Sequence, residues 1–455
     1  MKLNRTILKN LTLNITDGEH GSVIDDENGK YYLLSNKNII NGKISYNNSD
    51  RKISSLSFEK INRRTKLKKG DVVISTVGTI GKSAIISEDN LCYDFQRSVG
   101  IIKCDETKLL PDYLNYYFKQ DFVQTRLNYL SKGAVQKCLF IGDLNSFEID
   151  YPKDIKIQKG ITDILVTIDS KIELNNKINA ELEAMAKTIY DYWFVQFDFP
   201  NAKGKPYKSS GGKMVWNEEL KREIPVGWEV KELGDVINIF DSKRIPLSKQ
   251  QRENRKGNIP YYGATGVMDF VDEALFDDEF ILIAEDGSVM DENGLLIVQF
   301  IWGKSWVNNH AHVIQAKEKR HNEYVFYLSK KIQAVQIITG SIQLKINQEN
   351  LKGVKLPFPP KNILDSFCSQ ADSIRKTLIN NIEQNQQLAS LRDWLLPMLM
   401  NGQVKVGDAE KMVEEKLNMA AEAREDYSNH KASKENGKKV KSKTLKLKAL
   451  NNFKQ

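Results

Sequence analysis

The chain has 455 residues, 28% charged and 40% hydrophobic, which is enough for two or three domains with cores of their own. Its formal net charge of +8 resides in residues 431–455, which hold nine lysines and one glutamate, while the rest is balanced. Composition therefore does not indicate a nucleic-acid partner. The four cysteines form no CxxC pair, and the sequence has no long apolar run and no signal-peptide pattern. We expect a cytoplasmic protein without a membrane segment.

Residues 1–155 mix short β-rich runs with turns and one helical pattern. Gly70–Val77 predicts a buried strand, and the apolar spacing after Pro111 predicts a helix. We interpret this segment as an α+β domain.

A long helix is predicted from residues 156 to 198. It contains a heptad seam with two asparagines at its middle. The seam consists of Ile161, Leu165, Ile168, Ile172, Asn175, Asn179, Leu182, Ala186, Ile189 and Trp193. The stretch 158–194 that carries the seam would be roughly 55 Å long as a helix, at about 1.5 Å per residue.

The second part of the chain repeats the first. Residues 199–225 have the composition of a linker, and residues 226–360 are predicted to form a second α+β domain. Gly133–Gln136 corresponds to Gly340–Gln343, and Phe280–Ile283 occupies the place of the first domain's buried strand.

A second long helix is predicted over residues 361–401, with its seam in the same phase. The seam consists of Phe367, Ala371, Ile374, Leu378, Asn381, Asn385, Leu388, Arg392, Leu395 and Leu399. We expect the two helices to form an intramolecular antiparallel coiled coil in which Asn175 and Asn179 face Asn381 and Asn385. Buried amides of this kind fix helix register, although a polar midsection open to water is the alternative.

The predicted fold class is thus α+β, with two repeated domains and two long helices in a pseudo-twofold arrangement. Residues 402–455 are predicted to be a charged, disordered tail, although 408–426 could form a charged helix. The lysines at the end are expected to be solvated, and a phosphate-binding arm is the alternative.

Nothing in the sequence has the pattern of a catalytic site. Gly78–Ser83 ends like a phosphate-binding loop, but Thr76 stands where that motif requires its first glycine. His310 and His312 have no third ligand nearby in sequence, which favours a structural role over a metal site. We therefore predict a chain that is not an enzyme by itself and holds no metal.

Four stretches resemble the specificity subunit of type I restriction–modification enzymes. They are Ile15–His20, Gly70–Gly81, Trp193–Asp198, and Ile224–Glu229 followed by Leu233–Asp235. The resemblance runs from about residue 5 to about residue 405 and leaves the lysine-rich tail outside.

The resemblance implies that each α+β domain is a target-recognition domain that reads one half of a bipartite site in double-stranded DNA. The paired helices would set the spacer and dock two modification subunits. S-adenosylmethionine, ATP and magnesium would be bound by those subunits and by restriction subunits, with no cofactor in this chain.

The sequence nominates DNA-contacting residues only by residue type. Arginine and lysine side chains commonly contact base edges or phosphates. The candidates are Arg51, Arg63, Arg64, Lys82, Arg97, Lys243, Arg244, Arg252, Arg255 and Lys345. Two alternatives remain open, a self-contained methyltransferase or restriction enzyme with a divergent site and a coiled-coil scaffold that binds protein. The target sequence and spacer length do not follow from the sequence.

Overall fold

The computed structural model describes residues 1–133, 136–340 and 344–417. They form two units, of which unit 2 is Asn176–Asn381 and unit 1 contains the residues before and after it. Because the boundaries fall within the two long helices, each long helix contributes one half to each unit.

Unit 1 combines short strands with helices that cover its central sheet. Its strands are β1 (Asn4–Ile7), β2 (Thr12–Asp17), β3 (Tyr31–Leu34), β4 (Ile39–Ile40), β5 (Lys43–Ile44), β6 (Lys52–Ile53), β7 (Val72–Ser75), β8 (Ser83–Ile85), β9 (Tyr93–Phe95), β10 (Val99–Cys104) and β11 (Glu148–Tyr151). Its helices are α1 (Ser55–Thr65), α2 (Pro111–Phe118), α3 (Asp121–Leu130), α4 (Ile141–Asn145) and the first half of α5 (Ile155–Tyr190).

Unit 2 contains the second half of α5 and repeats this pattern. Its strands are β12 (Met214–Asn217), β13 (Arg222–Pro225), β14 (Glu229–Glu232), β15 (Ile237–Ile239), β16 (Lys256–Tyr262), β17 (Val267–Val271), β18 (Phe276–Asp277), β19 (Phe280–Ala284), β20 (Val298–Ile301), β21 (Lys304–Val307), β22 (Ala311–Ala316), β23 (Ile338–Thr339), β24 (Lys345–Ile346) and β25 (Lys355–Phe358). Its helices are α6 (Leu233–Val236), α7 (Lys249–Asn254), α8 (Asn322–Ser329), α9 (Gln348–Lys352) and the first half of α10 (Lys361–Met400).

Each unit is built on a four-stranded antiparallel sheet with the same strand order. The order is β2-β10-β7-β8 in unit 1 and β15-β22-β19-β20 in unit 2. Strands β7 and β19 are buried along their whole length, as their runs of aliphatic residues predict. The predicted repeat of two α+β domains is confirmed.

Within unit 1 the first half of α5 packs antiparallel against the second half of α10. Asn175 donates to Asn385 Oδ1 at 2.9 Å and to Gln384 Oε1 at 2.8 Å. Asp169, earlier on α5, accepts from Arg392, later on α10, at 2.8 Å. The partner's number rises as the α5 number falls, which defines the antiparallel direction.

Within unit 2 the second half of α5 packs antiparallel against the first half of α10. Asn381 donates to Asn179 Oδ1 at 2.8 Å, and the rings of Tyr190 and Phe367 lie 5.8 Å apart. The asparagines therefore meet in the pairs that the seams predict. Their role in setting register stays a prediction.

The stretch predicted as a linker, residues 199–225, differs in the structure. It contains the β12–β13 hairpin, and Ile224 and Phe199 are buried. Phe199 stacks on Tyr207 and on Trp228, with ring centroids 4.6 and 5.6 Å apart. The stretch is rich in Lys, Gly, Pro and Glu, but a few aromatic contacts hold it in place.

The described part of the predicted tail, residues 402–417, belongs to the fold of unit 1. Residues 406–417 are helical, with Ala409 and Val413 buried in the core of unit 1 beside the partly buried Val406 and Leu417. This apolar face explains why the helix packs despite its charged composition. The lysine-rich segment 431–455 lies outside the described residues.

In the part of the chain that the structure describes, none of the helices combines the length and apolarity needed to cross a bilayer.

Candidate nucleic-acid interface

One edge of the central sheet of unit 1 gathers loops from four distant parts of the chain. Strands β2 and β7 end at this edge and β10 begins there, because β10 is antiparallel to both. A bridge between Val77 and Cys138 adds the fourth segment. We call this set the loop edge of unit 1, and it comprises residues 17–20, 76–79, 96–98 and 136–138.

Backbone hydrogen bonds hold the loop edge of unit 1 together. The amide of Thr76 donates to the carbonyl of Ser98 at 2.9 Å, and the amide of Leu139 donates to the carbonyl of Thr76 at 2.8 Å. The amide of Arg97 donates to the carbonyl of Glu19 at 3.0 Å. The side chains on these loops therefore project from a fixed backbone.

Unit 2 has a loop edge of the same construction. The amide of Glu285 donates to the carbonyl of His310, and the amide of Ile346 donates to the carbonyl of Glu285, both at 2.8 Å. These two bonds repeat those made at Thr76 in unit 1. The loop edge of unit 2 comprises residues 241–244, 285–288, 308–310 and 344–346.

The same glycine turn follows the buried strand in both units. Gly78 has φ +74° and Gly287 has φ +73°. Residues with a Cβ rarely adopt this left-handed conformation, so glycine is required for the turn. The two loop edges thus share their backbone geometry as well as their hydrogen bonds.

A buried polar network supports the loop edge of unit 2. His312 Nδ1 lies 2.6 Å from Asp241 Oδ2, and its Nε2 lies 2.9 Å from the carbonyl of Ile346. Both partners offer acceptor oxygens to the ring. Arg244 donates to Glu285 and to the carbonyl of Ala311, both at 2.6 Å.

This network holds both of its carboxylates in the charged form. Burial would raise the pKa of Asp241, but the contacts with His312, the Val313 amide and Arg244 outweigh burial and lower it. The pKa of Glu285 is lowered in the same way, because the hydrogen bond from Arg244 and the charge of His312 outweigh burial.

Asp241, Glu285 and His312 place possible metal-ligand atoms within 4.8 Å of one another. However, both nitrogens of His312 face acceptors, and Arg244 lies against both carboxylates. These contacts favour a structural role for His312. His310 lies in the turn before β22, so it does not share a strand face with His312. It contacts Asp286 at 2.6 Å.

Three arginines nominated in unit 2 contact acidic residues of the same unit. Arg244 and Arg252 have side chains only 11% and 16% exposed. Arg252 donates to Asp269 at 3.1 Å and to the carbonyl of Leu247 at 2.7 Å. Arg255 pairs with Asp272 and Glu273. Their side-chain donors are used within the protein, and their nomination as DNA contacts stays a prediction.

Two of the arginines nominated in unit 1 also face protein partners. Arg51 contacts Asp25 and the carbonyl of Val23, and Arg64 contacts Asp17 and the carbonyl of Gly18. Arg51 therefore fixes a surface loop, while Arg64 braces the first loop of the loop edge.

Arg63 and Lys82 are exposed and lie outside the four segments of the loop edge of unit 1. Arg63 is on α1 and 82% exposed, with Glu59 at 3.9 Å. Lys82 lines a cavity of about 620 Å³ together with Lys119 and Arg392. Neither position is held by the backbone bonds of the loop edge.

Three nominated residues lie on the loop edges and are exposed, namely Arg97 in unit 1 and Lys243 and Lys345 in unit 2. Sequence reasoning missed two histidines on the same edges. His20 contacts Asp17 at 2.6 Å, and His310 is the last residue of the segment 308–310 and contacts Asp286. The sequence signal that could have pointed to His20 is the correspondence of residues 15–20 with residues 239–244. This correspondence is established only by the strand register of the two sheets.

Comparison with known proteins agrees with this architecture. A family model described as the type I restriction modification DNA specificity domain matches residues 19–184 and 225–384, well over half of the chain. The resemblance found in the sequence is thereby confirmed.

Two relatives match over most of their length. The chain is 29% identical over 359 residues to the type I restriction enzyme MjaIX specificity subunit of Methanocaldococcus jannaschii, covering 74% of this chain and 78% of that protein. It is 23% identical over 413 residues to the HindI specificity subunit of Haemophilus influenzae, covering 74% and 87%. The crystal structure of the S subunit from M. genitalium superposes with a TM-score of 0.57 at 17% identity, covering 88% of this chain and 96% of that one, which shows a shared fold.

Proposed function

Because the chain belongs to the family of type I restriction–modification DNA specificity domains, we propose that it is the noncatalytic DNA-recognition subunit of such a complex. Each unit reads one half of a bipartite site in double-stranded DNA. The observation that carries this proposal is the duplicated loop edge, which presents exposed polar side chains on the same backbone frame in two units of different sequence.

The chemistry of the loop edges suits base recognition. Guanidinium, ammonium, imidazole and carboxylate groups are the side chains that discriminate base edges in the major groove. Exposed examples on the edges are Arg97, His20, Lys243 and His310. A frame fixed by backbone hydrogen bonds keeps such groups in a constant geometry, which selective recognition requires.

The helices α5 and α10 are the proposed ruler of the complex. They are 36 and 40 residues long. One added helical turn, about 5.4 Å, corresponds to between one and two base pairs, so helix length would set the spacer between half-sites. For two readers on one face of DNA, a separation near one helical turn, about 34–36 Å, is natural.

The chemical steps are assigned to partner subunits. Two modification subunits that dock on the helix pair would bind S-adenosylmethionine, and restriction subunits would use ATP and magnesium. A complex that acts on cellular DNA works in the cytoplasm of a bacterial or archaeal cell, where we place this chain.

Exchange of residues 226–360 for the second recognition domain of another family member tests the proposal. The full chain is expressed with its modification subunits, and methylated positions are mapped strand by strand. We expect one half-site to change while the other half-site and the spacer length are retained.

A parallel exchange of residues 1–155 serves as the matched control and should change the opposite half-site. Methylation without any bipartite motif in the wild type would refute the proposed function. A change in both halves after a single exchange would refute the assignment of one half-site to each unit.

A further inference from the structure

The two loop edges can be compared position by position, because strand register and hydrogen bonds make them equivalent. Thr76 corresponds to Glu285 and Ser98 to His310 through the same backbone bond. Cys138 corresponds to Lys345, because they bridge Val77 and Asp286. Strand pairing likewise matches Ile15 with Ile239, and hence residues 17–20 with 241–244.

Some equivalent positions carry the same residue, and these support the backbone. Asp17 and Asp241 each contact the side chain three residues later, His20 at 2.6 Å and Arg244 at 3.4 Å. The glycines of the two turns are the second shared feature. Identical residues at these positions build one frame in both units and therefore carry no information that distinguishes two half-sites.

Other equivalent positions differ in charge or hydrogen-bonding capacity. Five such pairs, with unit 1 first, are Glu19 and Lys243, Val77 and Asp286, Arg97 and Asn309, Ser98 and His310, and Cys138 and Lys345. Each pair lies on the same frame, so the change of side chain alters what the edge offers to a ligand without altering where it is offered.

We propose that these five differing positions determine which bases each unit reads, with Arg97 as the principal reader in unit 1 and Lys243 in unit 2. The proposal deepens the proposed function and rests on it. Two half-sites of different sequence can be read by two surfaces that share one backbone geometry but carry different side chains.

Arg97 and Lys243 are favoured because their charged groups are available. Both are exposed, and neither makes a side-chain hydrogen bond or ion pair with any residue in 1–133, 136–340 or 344–417. Lys243 only lies over the ring of Phe240, at 5.3 Å. By contrast, the neighbouring Arg244 is 11% exposed and fully engaged with Asp241, Glu285 and Ala311. An arginine that keeps all its donors free can bind a guanine edge in bidentate fashion.

Substitution of each reader by the residue at the equivalent position, or by one of opposite charge, tests the proposal. Arg97→Asn and Lys243→Glu are made in the full chain with its modification subunits. The matched controls are Arg5→Asn, in the β1–β11 sheet, and Lys317→Glu, just beyond the opposite end of β22. Methylated motifs are mapped, and affinity is measured on duplexes that carry each single-base change.

We expect Arg97→Asn to relax one base position of one half-site and Lys243→Glu to relax a position of the other. A lost bidentate contact lowers discrimination by on the order of tenfold to a hundredfold. The two controls should keep the wild-type motif. Arg97→Lys should keep most of the affinity but lose discrimination, because one ammonium cannot replace the guanidinium fork.

Equal weakening on every duplex would mean that Arg97 and Lys243 contact phosphates, and it would overturn the proposal, as would unchanged motifs in both variants. These outcomes differ from failure of the proposed function, which would appear as the absence of a bipartite motif in the wild type.

Discussion

Residue type alone does not decide what a charged side chain does in this protein. Lys243 and Arg244 are neighbours with the same charge, yet one points to solvent and the other is buried in an ion-pair network. The partners of Arg244 lie 41 and 67 residues away in sequence. Availability of a donor for a ligand is therefore a property of the fold.

The pair formed by Arg375 and Glu323 shows the same dependence in the core of unit 2. Arg375 donates to the two carboxylate oxygens at 2.7 and 3.2 Å, and its guanidinium lies over the rings of Phe300 and Phe326. Burial raises the pKa of Glu323, and Arg375 offsets this only in part.

We expect Arg375→Ala to destabilise unit 2 by about 3–5 kcal/mol, because it leaves a buried carboxylate without its partner. Urea unfolding followed by tryptophan fluorescence measures this, since five of the six tryptophans lie in unit 2. The control is Lys376→Ala on the same helix, whose pair with Asp372 is exposed and worth less than about 1 kcal/mol. Equal losses in the two variants would contradict the prediction.

The Asp241 network predicts a defined pH dependence. The folded-state pKa of Asp241 is depressed, so its contribution is present above the unfolded-state value of about 3.9 and is lost as pH falls through the folded-state pKa. Asp241→Asn should cost about 2–3 kcal/mol at pH 7, and its deficit relative to wild type should shrink below about pH 4.

Unfolding curves between pH 3 and pH 7 check this expectation. Asp277→Asn, at an exposed carboxylate in the same unit, is the control and should be nearly neutral at every pH. A deficit for Asp241→Asn that stays constant down to pH 3 would show that the charge of Asp241 is not the source of its contribution.

At the scale of elements, the long helices combine an apolar seam with polar groups at its middle. Asn175 is fully buried and donates two hydrogen bonds to α10, while its Oδ1 lacks a partner among the described residues. An imperfectly satisfied amide costs stability compared with leucine, but it disfavours shifted registers in which its donors would be unpaired.

Replacement of Asn175, Asn179, Asn381 and Asn385 by leucine should therefore raise the melting temperature and loosen the register of the helix pair. The expected consequence is methylation at sites with more than one spacer length. Ile172→Leu, which keeps an apolar seam residue, is the control and should change neither quantity. An unchanged spacer preference in the four-leucine variant would contradict a role in register.

At the scale of the molecule, each unit is assembled from segments far apart in the chain. The core of unit 1 includes residues of β2, α2, α5 and α10 together with Ala409 and Val413 of the 406–417 helix. Stability of the first recognition unit thus depends on residues near the other end of the described chain.

A chain that ends at Gln403 should lose on the order of 3 kcal/mol of stability in unit 1, because it lacks the apolar face of the 406–417 helix. A chain that ends at His430 is the control and should be as stable as the full chain. Hydrogen exchange in peptides covering residues 158–170 measures the difference. Equal protection in both truncations would show that this helix contributes nothing to the core.

The sequence by itself determined the two long helices, the phase of their asparagines and the duplication of the α+β domain. These features follow from periodicity and self-similarity along the chain, which are local or repeated properties. The resemblance to the family was also visible in the sequence, in stretches that include Ile15–His20 and Gly70–Gly81. In the structure these two stretches contribute to the loop edge of unit 1.

Only the tertiary structure decided which charged residues are available at that edge. Residues 17–20, 76–79, 96–98 and 136–138 become neighbours through antiparallel strand pairing, and no spacing along the chain predicts this. Distant partners bury most of Arg244 and Arg252, whereas Arg97 and Lys243 are exposed. Long-range contacts also decided the structure of residues 199–225 and 406–417. Their composition predicted a linker and a disordered tail, but apolar side chains of both stretches pack into the cores of the two units.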